Sequence, residues 1–378
     1  MRKTSKMMLV AAAAASLASG SLFADVSLKT SGYVTGFYQA NLNNLGDIRP
    51  ALGNNSNVNA NEFSFGAGQL SLVGKDSANG VGGELDILYS PIISLSNAPI
   101  EQAFVDFNAG PVGFKFGKFF AGISAESLDV TNDLNYSRSI LFGAVPTFLN
   151  GLAVNYSIAG LGITGLIANN TDEKFFPDAT PSDSADLNGK DLGVSLNYSL
   201  AGVGLTATYL LEPTTYDAFG NKLVSMVGSE NNDYLDVVVK DQLMDNLGLQ
   251  GEYLYKTHIA SADTLAGNAQ GSSVTDPSTG NQVAFSPKQQ GYALYVNYAT
   301  PVSGLSLIPR YEQLFTPDKG GSVTEINEGT ITLKYVTGAL AHSLEWSHAY
   351  TTTALFPVYD GKYLYNADTL TYAATYSF

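Results

Sequence analysis

The sequence predicts an all-β fold, a transmembrane antiparallel β-barrel of about 16 strands. Three observations predict it. Apolar and polar residues alternate with period 2 along most of the chain, the connections alternate between short and long, and after residue 24 no apolar run approaches the roughly 20 residues that a spanning helix requires. A chain that crosses a bilayer without such helices must satisfy its backbone by closing a sheet on itself.

The N-terminal residues MRKTSKMMLVAAAAASLASGSLFA read as a secretory signal peptide over 1–24, because Arg2, Lys3 and Lys6 precede an Ala-rich stretch too short to span. We place cleavage after Ala24, so that residues 25–378 form a single barrel domain. Removing the three basic residues of the signal from the 19 in the chain leaves 16 against 34 acids, a net charge of −18. So acidic a chain is not expected to bind nucleic acid. It contains no cysteine, which excludes disulfides and thiolate metal sites.

The strands follow in order. Val154, Tyr156 and Ile158 alternate with Asn155 and Ser157; Val194, Leu196 and Tyr198 with Ser195 and Asn197; Tyr292, Leu294, Val296 and Tyr298 with Ala293, Tyr295 and Asn297. Strand centres are expected near 33, 68, 85, 104, 115, 155, 164, 195, 207, 237, 252, 294, 309, 333, 347 and 373. Segments 213–232 and 258–288 are long enough to hold a further hairpin, so 18 strands is the alternative count. Short links at 109–111, 201–202 and 300–304 alternate with long polar ones at 42–61, 171–189, 213–232 and 258–288. Such sorting suits a barrel with turns on one side of a membrane and loops on the other. The recurring NYSIAGLGI, NYSLAGVGL and NYATPVSGL place Tyr156, Tyr198 and Tyr298 just before a turn, at headgroup level. The chain ends TLTYAATYSF, with Leu370, Tyr372, Tyr376 and Phe378 on one face.

At 100–119 the sequence reads IEQAFVDFNAGPVGFKFGKF, a strand, a tight turn and a strand, followed by the long segment AGISAESLDVTNDLNYSRSILFGAVPTFLN. This resembles the general porins of Gram-negative bacteria. The resemblance implies a third external loop, about 120–148, folded into the barrel to narrow it. It also implies a homotrimer, outer-membrane lipid and the outer-membrane assembly machinery as partners, and an assembly signal in Tyr372, Tyr376 and Phe378. The Arg-rich wall of many porins is thin here, so their selectivity does not carry over.

If apolar faces meet lipid, the alternate residues face the lumen. That parity assigns Lys29, Lys115, Lys240, Lys256, Arg310 and Lys334 to the wall with Glu84, Asp86, Asp106, Asp236, Glu252, Glu312 and Glu345. At the constriction Glu126, Asp129 and Asp133 outnumber Arg138, which predicts a negative aperture and mild cation preference. GLGITG at 160–165 fits a dinucleotide fingerprint, but a strand follows it where a helix is needed. His342 and His348 share a strand face with Leu344 and Trp346 while Glu345 points away, and His258 stands alone, so neither a metal site nor a catalytic triad is expected. No cofactor and no enzymatic activity are expected. The leading reading is a water-filled channel for ions and small hydrophilic solutes; the alternative is an adhesin or surface receptor acting through its long loops.

Overall fold

The computed structural model describes residues 26–42, 62–76, 80–89, 100–127, 129–169, 190–200, 202–212, 232–257, 273–275, 282–284, 288–317, 323–352, 356–357 and 363–378. The signal peptide and its cleavage site, His258 and most of the long loops beyond the third lie outside these residues.

The barrel strands are β1 (Val26–Asn41), β2 (Glu62–Asp76), β3 (Val81–Tyr89), β4 (Ile100–Ala109), β5 (Val112–Phe120), β6 (Phe148–Ile158), β7 (Leu161–Asn169) and β8 (Lys190–Leu200). They continue as β9 (Val203–Glu212), β10 (Asn232–Met244), β11 (Leu247–Thr257), β12 (Lys288–Ala299), β13 (Leu305–Pro317), β14 (Val323–Thr337), β15 (Leu340–Thr351) and β16 (Asn366–Ser377). Each pairs antiparallel with the next, and β1 pairs with β16, closing a barrel of 16 strands. Every expected strand centre falls inside one of them. Two short hairpins, 273–275 with 282–284 and 356–357 with 363–364, stand apart from the barrel.

The turns follow from their residues. Ala159 and Gly160 join β6 to β7 with φ of 49° and 83°, the left-handed pair whose twist matches that of the flanking strands. Outward-facing Tyr156, Tyr198 and Tyr298 are exposed just before short links between strands. At the closing seam Phe378 N–H donates to the Gly32 carbonyl at 2.9 Å and Gly32 N–H to the Phe378 carbonyl at 3.0 Å. A Cβ on Gly32 would lie 2.2 Å from the Gln69 carbonyl oxygen and 2.8 Å from the Phe378 ring, so only glycine fits there. Tyr372, Tyr376 and Phe378 are all exposed, and the Tyr376 and Phe378 rings stack at 6.5 Å.

Parity holds along most of the wall and breaks where the register between neighbouring strands shifts. Across Asp86 and Ile87 the register shifts, so that Asp86 faces Gln102 and Ile87 faces Ile100. Glu101, left between them, is buried and bonded to Gln69. This bulge brings in a carboxylate that strict alternation assigns to the outside.

The interior is only partly aqueous. Ile123, Ile140, Leu141 and Val145 of the third loop pack with inward-facing Leu149, Leu166, Leu210, Leu254, Leu314 and Ile326 into one apolar core. Sequence parity predicts a lumen wall of polar residues. Part of the wall against the third loop is instead apolar, because burying it there removes apolar surface from water on both sides.

Candidate functional site: the third loop and the lumen it narrows

Residues 121–147 join β5 to β6 and run across the inside of the barrel. The first anchor is main chain. Ser124 N–H donates to Asp236 at 3.1 Å, Tyr136 N–H and Ser137 N–H to Glu345 at 3.0 and 3.2 Å, and Ile140 N–H to Glu312. Asn135 donates its side-chain amide to the Ile308 carbonyl at 3.2 Å and to Thr332 at 2.7 Å. Lys334 donates to the Asp133 carbonyl at 2.6 Å, and Lys240 reaches the Ala125 carbonyl at 3.4 Å. A loop without regular hydrogen bonding leaves its backbone groups unpaired, and the charged wall of β10 to β15 supplies their partners.

The second anchor is Arg310. Its guanidinium meets Glu312 at 2.8 Å, Glu328 at 3.0 Å and Glu126 at 3.2 Å, and donates to the Ser137 carbonyl at 2.7 Å and the Arg138 carbonyl at 3.3 Å. One base therefore ties loop to wall through three carboxylates. Glu126 also accepts from Ser139 N–H at 2.7 Å and from the Tyr295 hydroxyl at 3.2 Å. Asp133 pairs with Arg138 and accepts from Ser127 N–H at 2.7 Å. Glu126 and Asp133 are each only 5% exposed. Of the acids expected at the constriction, these two are spent inside the loop's own anchoring.

Tyr136 reaches the other way, its ring 6.0 Å from that of Phe37. Burial pushes its phenol above the ordinary range, against a smaller opposing effect of a hydrogen bond with Thr35.

Opposite this anchored side the lumen stays open. A cavity of about 310 Å³ lies between the loop and the wall of β1 to β4, with Glu84, Asp86, Gln69, Gln102 and Ser71 on the wall and Ser127, Asp129, Thr131 and Asn132 on the loop. No lysine or arginine is among the residues that line it. Asp129, the third expected acid, does face this space, and its carboxylate accepts from Thr131 N–H at 2.8 Å.

The remaining predicted wall residues divide. Lys115 lies 4.2 Å above the Phe104 ring, and Lys256 lies 5.0 Å above that of Tyr234. Glu252 is buried, whereas Lys29 is exposed near the short-turn end of β1 and Asp106 lies toward the same end of β4. His342 and His348 face outward with Leu344 and Trp346, where they meet the Tyr372 hydroxyl and Asp368. The sequence reading did not single out Glu101, Asn135, Tyr295 or Glu328. Glu328 shares the parity of Lys334 on β14 and was within reach of the same rule. Glu101 was not, because the bulge that turns it inward has no sequence signature.

Comparison with known proteins agrees with this architecture. A family model, the beta-barrel porin-2, OmpL-like family, matches residues 27–378, and the chain belongs to that family of outer-membrane porins. No curated protein matches it. Among solved structures, Salmonella typhi OmpF in complex with daunomycin superposes with a TM-score of 0.64 at 14% identity, covering 94% of this chain and 98% of that one. The anion-selective porin from Comamonas acidovorans gives 0.57 at 11%, covering 93% and 100%. OmpT of Vibrio cholerae in its trimer form gives 0.59 at 9%, covering 93% and 99%. The protein is an outer-membrane β-barrel of porin type.

Proposed function

We propose that the mature chain, exported by the signal peptide at 1–24, is a water-filled, non-enzymatic channel for passive diffusion of ions and small hydrophilic solutes, with mild cation preference. The observation that carries the preference is the cavity beside the third loop, where Glu84, Asp86 and Asp129 line the passage without a base. The bases beside the loop are neutralised: Arg310 of β13 sits among three carboxylates and the loop's Arg138 is paired with Asp133. Fixed negative charge along a narrow aqueous path concentrates cations and depletes anions. The fold does not decide the sign, since a barrel of the same architecture is described as anion-selective. The trimer form of a structural neighbour supports a homotrimer here.

The test is the zero-current potential of the purified protein in a planar bilayer under a KCl gradient. A potential of the sign set by K⁺ is expected; the Cl⁻ sign would overturn the preference, and absence of conductance would overturn the channel. Native mass spectrometry of the same preparation should show three chains, and monomer alone would remove the trimer.

A further inference from the structure

The cavity beside the third loop is bounded on its long-loop side by the loop itself. Tyr33 of β1, Gln69 of β2 and Asp86 of β3 line it, and the next inward-facing positions toward the long loops are Thr35, Ala67 and Leu88. There the loop meets the wall. Val130 packs on Tyr33, Ala67 and Leu88, and its main chain hydrogen-bonds to the Tyr33 phenol. Beside it Tyr136 bonds to Thr35, with its ring 6.0 Å from that of Phe37.

The seat of Tyr136 is made by a shift in strand register. β1 and β2 pair Thr35 with Ala67 but Gly36 with Phe65, so Gly66 falls between paired positions. A Cβ on Gly66 would lie 2.8 Å from the Tyr136 hydroxyl, 2.9 Å from Thr35 Cγ2 and 3.3 Å from Phe37 Cδ1, and the first two are closer than packed atoms come. Gly66 is not among the glycines with positive φ, so what it supplies here is room and not conformational freedom. Thr35 is held by the strand ladder and by the Thr375 hydroxyl, which donates to it at 2.9 Å. Tyr136, on the end of a loop side chain, is the neighbour that can leave.

We propose that the Gly66 notch and the Tyr136 phenol together set the size limit of the channel along the β1 to β3 wall. With the phenol seated, the loop edge from Val130 to Tyr136 stays against this wall and narrows the passage beside Glu84, Asp86 and Asp129. With the phenol displaced, that edge loses its seat on β1 and β2 and the passage widens, while the charged anchors on β10 to β15 keep the rest of the loop in place. This deepens the channel reading and rests on it, since a size limit exists only where solutes pass.

The test uses three readouts on purified, folded protein. They are single-channel conductance in a planar bilayer, entry of saccharides of increasing size into proteoliposomes, and maleimide labelling in an Ala67→Cys background. The chain has no cysteine of its own, so the label reports one site, and Ala67 is buried beneath Val130. Tyr136→Ala should raise conductance, shift the size limit upward and speed the labelling. Gly66→Ala should do the same by filling the notch. Tyr136→Phe keeps the ring but loses the bond to Thr35, so its shift should be smaller. The double variant Gly66→Ala, Tyr136→Ala should match Tyr136→Ala alone, because residues in contact couple and no phenol is left to displace. Gly74→Ala lies on the same strand with open space around the added methyl and should match wild type. Heat-modifiable migration establishes that each variant is folded. A wild-type size limit in Tyr136→Ala overturns the proposal, whether or not labelling becomes faster. So does a Gly66→Ala effect that persists once Tyr136 is already alanine. If wild-type protein passes neither current nor saccharide, the channel reading falls and the size limit with it, while equal or faster labelling in Gly66→Ala still decides whether the notch seats the loop.

Discussion

Two walls face each other across this lumen, and they use carboxylates in opposite ways. On β10 to β15, Asp236, Glu312 and Glu345 are consumed by loop N–H groups, and Arg310 gathers Glu126, Glu312 and Glu328 about itself. On β1 to β4, Glu84 and Asp86 face a cavity with no base on its lining. The same residue type thus holds a structure together where donors converge on it and shapes a passage where they do not. Counting acids against bases along the loop gives no sign of this division. Only the partners of each carboxylate reveal it.

The largest change comes from breaking the seam on which both walls depend. Replacing Phe378 with Asp puts a charge on the outward face at the end of β16, where the ring now packs over Gly32. A charge on the lipid face of a strand destabilises a barrel by up to a few kcal/mol according to depth. We expect little heat-modifiable barrel in membranes and accumulation of unassembled chain. Wild-type amounts of folded protein would show that the terminal ring is dispensable for assembly.

A smaller but more local change removes the anchor of one wall. Arg310→Met leaves Glu126, Glu312 and Glu328 buried about an apolar side chain, and breaking a buried ion pair from one side costs roughly 3–5 kcal/mol. The backbone ladder of the barrel does not pass through this cluster, so the barrel should still form. The loop should come away from the wall, giving a larger single-channel conductance and new protease cleavage between residues 121 and 147. Adding Glu126→Gln, Glu312→Gln and Glu328→Gln should recover part of the wild-type conductance, because the stranded charges are gone. An unchanged conductance in Arg310→Met would mean that the apolar core around Ile140 and Leu141 holds the loop alone.

How much of this was legible beforehand divides along physical lines. Strand positions were, because period 2 is imposed by the backbone and shows directly in residues such as Val194, Leu196 and Tyr198. The inward loop was legible through resemblance, and the lumen parity of Arg310, Glu312 and Glu345 followed from the strands. The partners of those residues did not. Glu126 and Asp129 are three positions apart in an irregular loop, and no periodicity says which one meets Arg310 across the barrel. The apolar core inside the lumen was hidden for a related reason. Leu254, Leu314 and Ile326 lie on the polar-in side of the alternation, and only the loop's Ile123 and Leu141 make their burial favourable.

The finest test separates the two walls by single carboxylates within that loop. Asp129→Asn and Glu126→Gln each remove one negative charge at nearly the same place in sequence, so a mechanism governed by total loop charge moves both reversal potentials equally. The geometry distinguishes them. Asp129 faces the cavity, whereas Glu126 is buried against Arg310, Ser139 and Tyr295. A unit charge about 4 Å from a permeating ion in water is worth about 1 kcal/mol, so Asp129→Asn should lower the cation-to-anion permeability ratio by about two- to fivefold in dilute KCl. Glu126→Gln should leave that ratio nearly unchanged, while loosening the loop and broadening the spread of conductance levels. Near 1 M salt the screening length falls to about 3 Å, and the effect of Asp129→Asn should shrink toward zero. Equal shifts in the two variants would place the selective charge in the loop as a whole, and would show that the open wall of β1 to β4 does not set the sign.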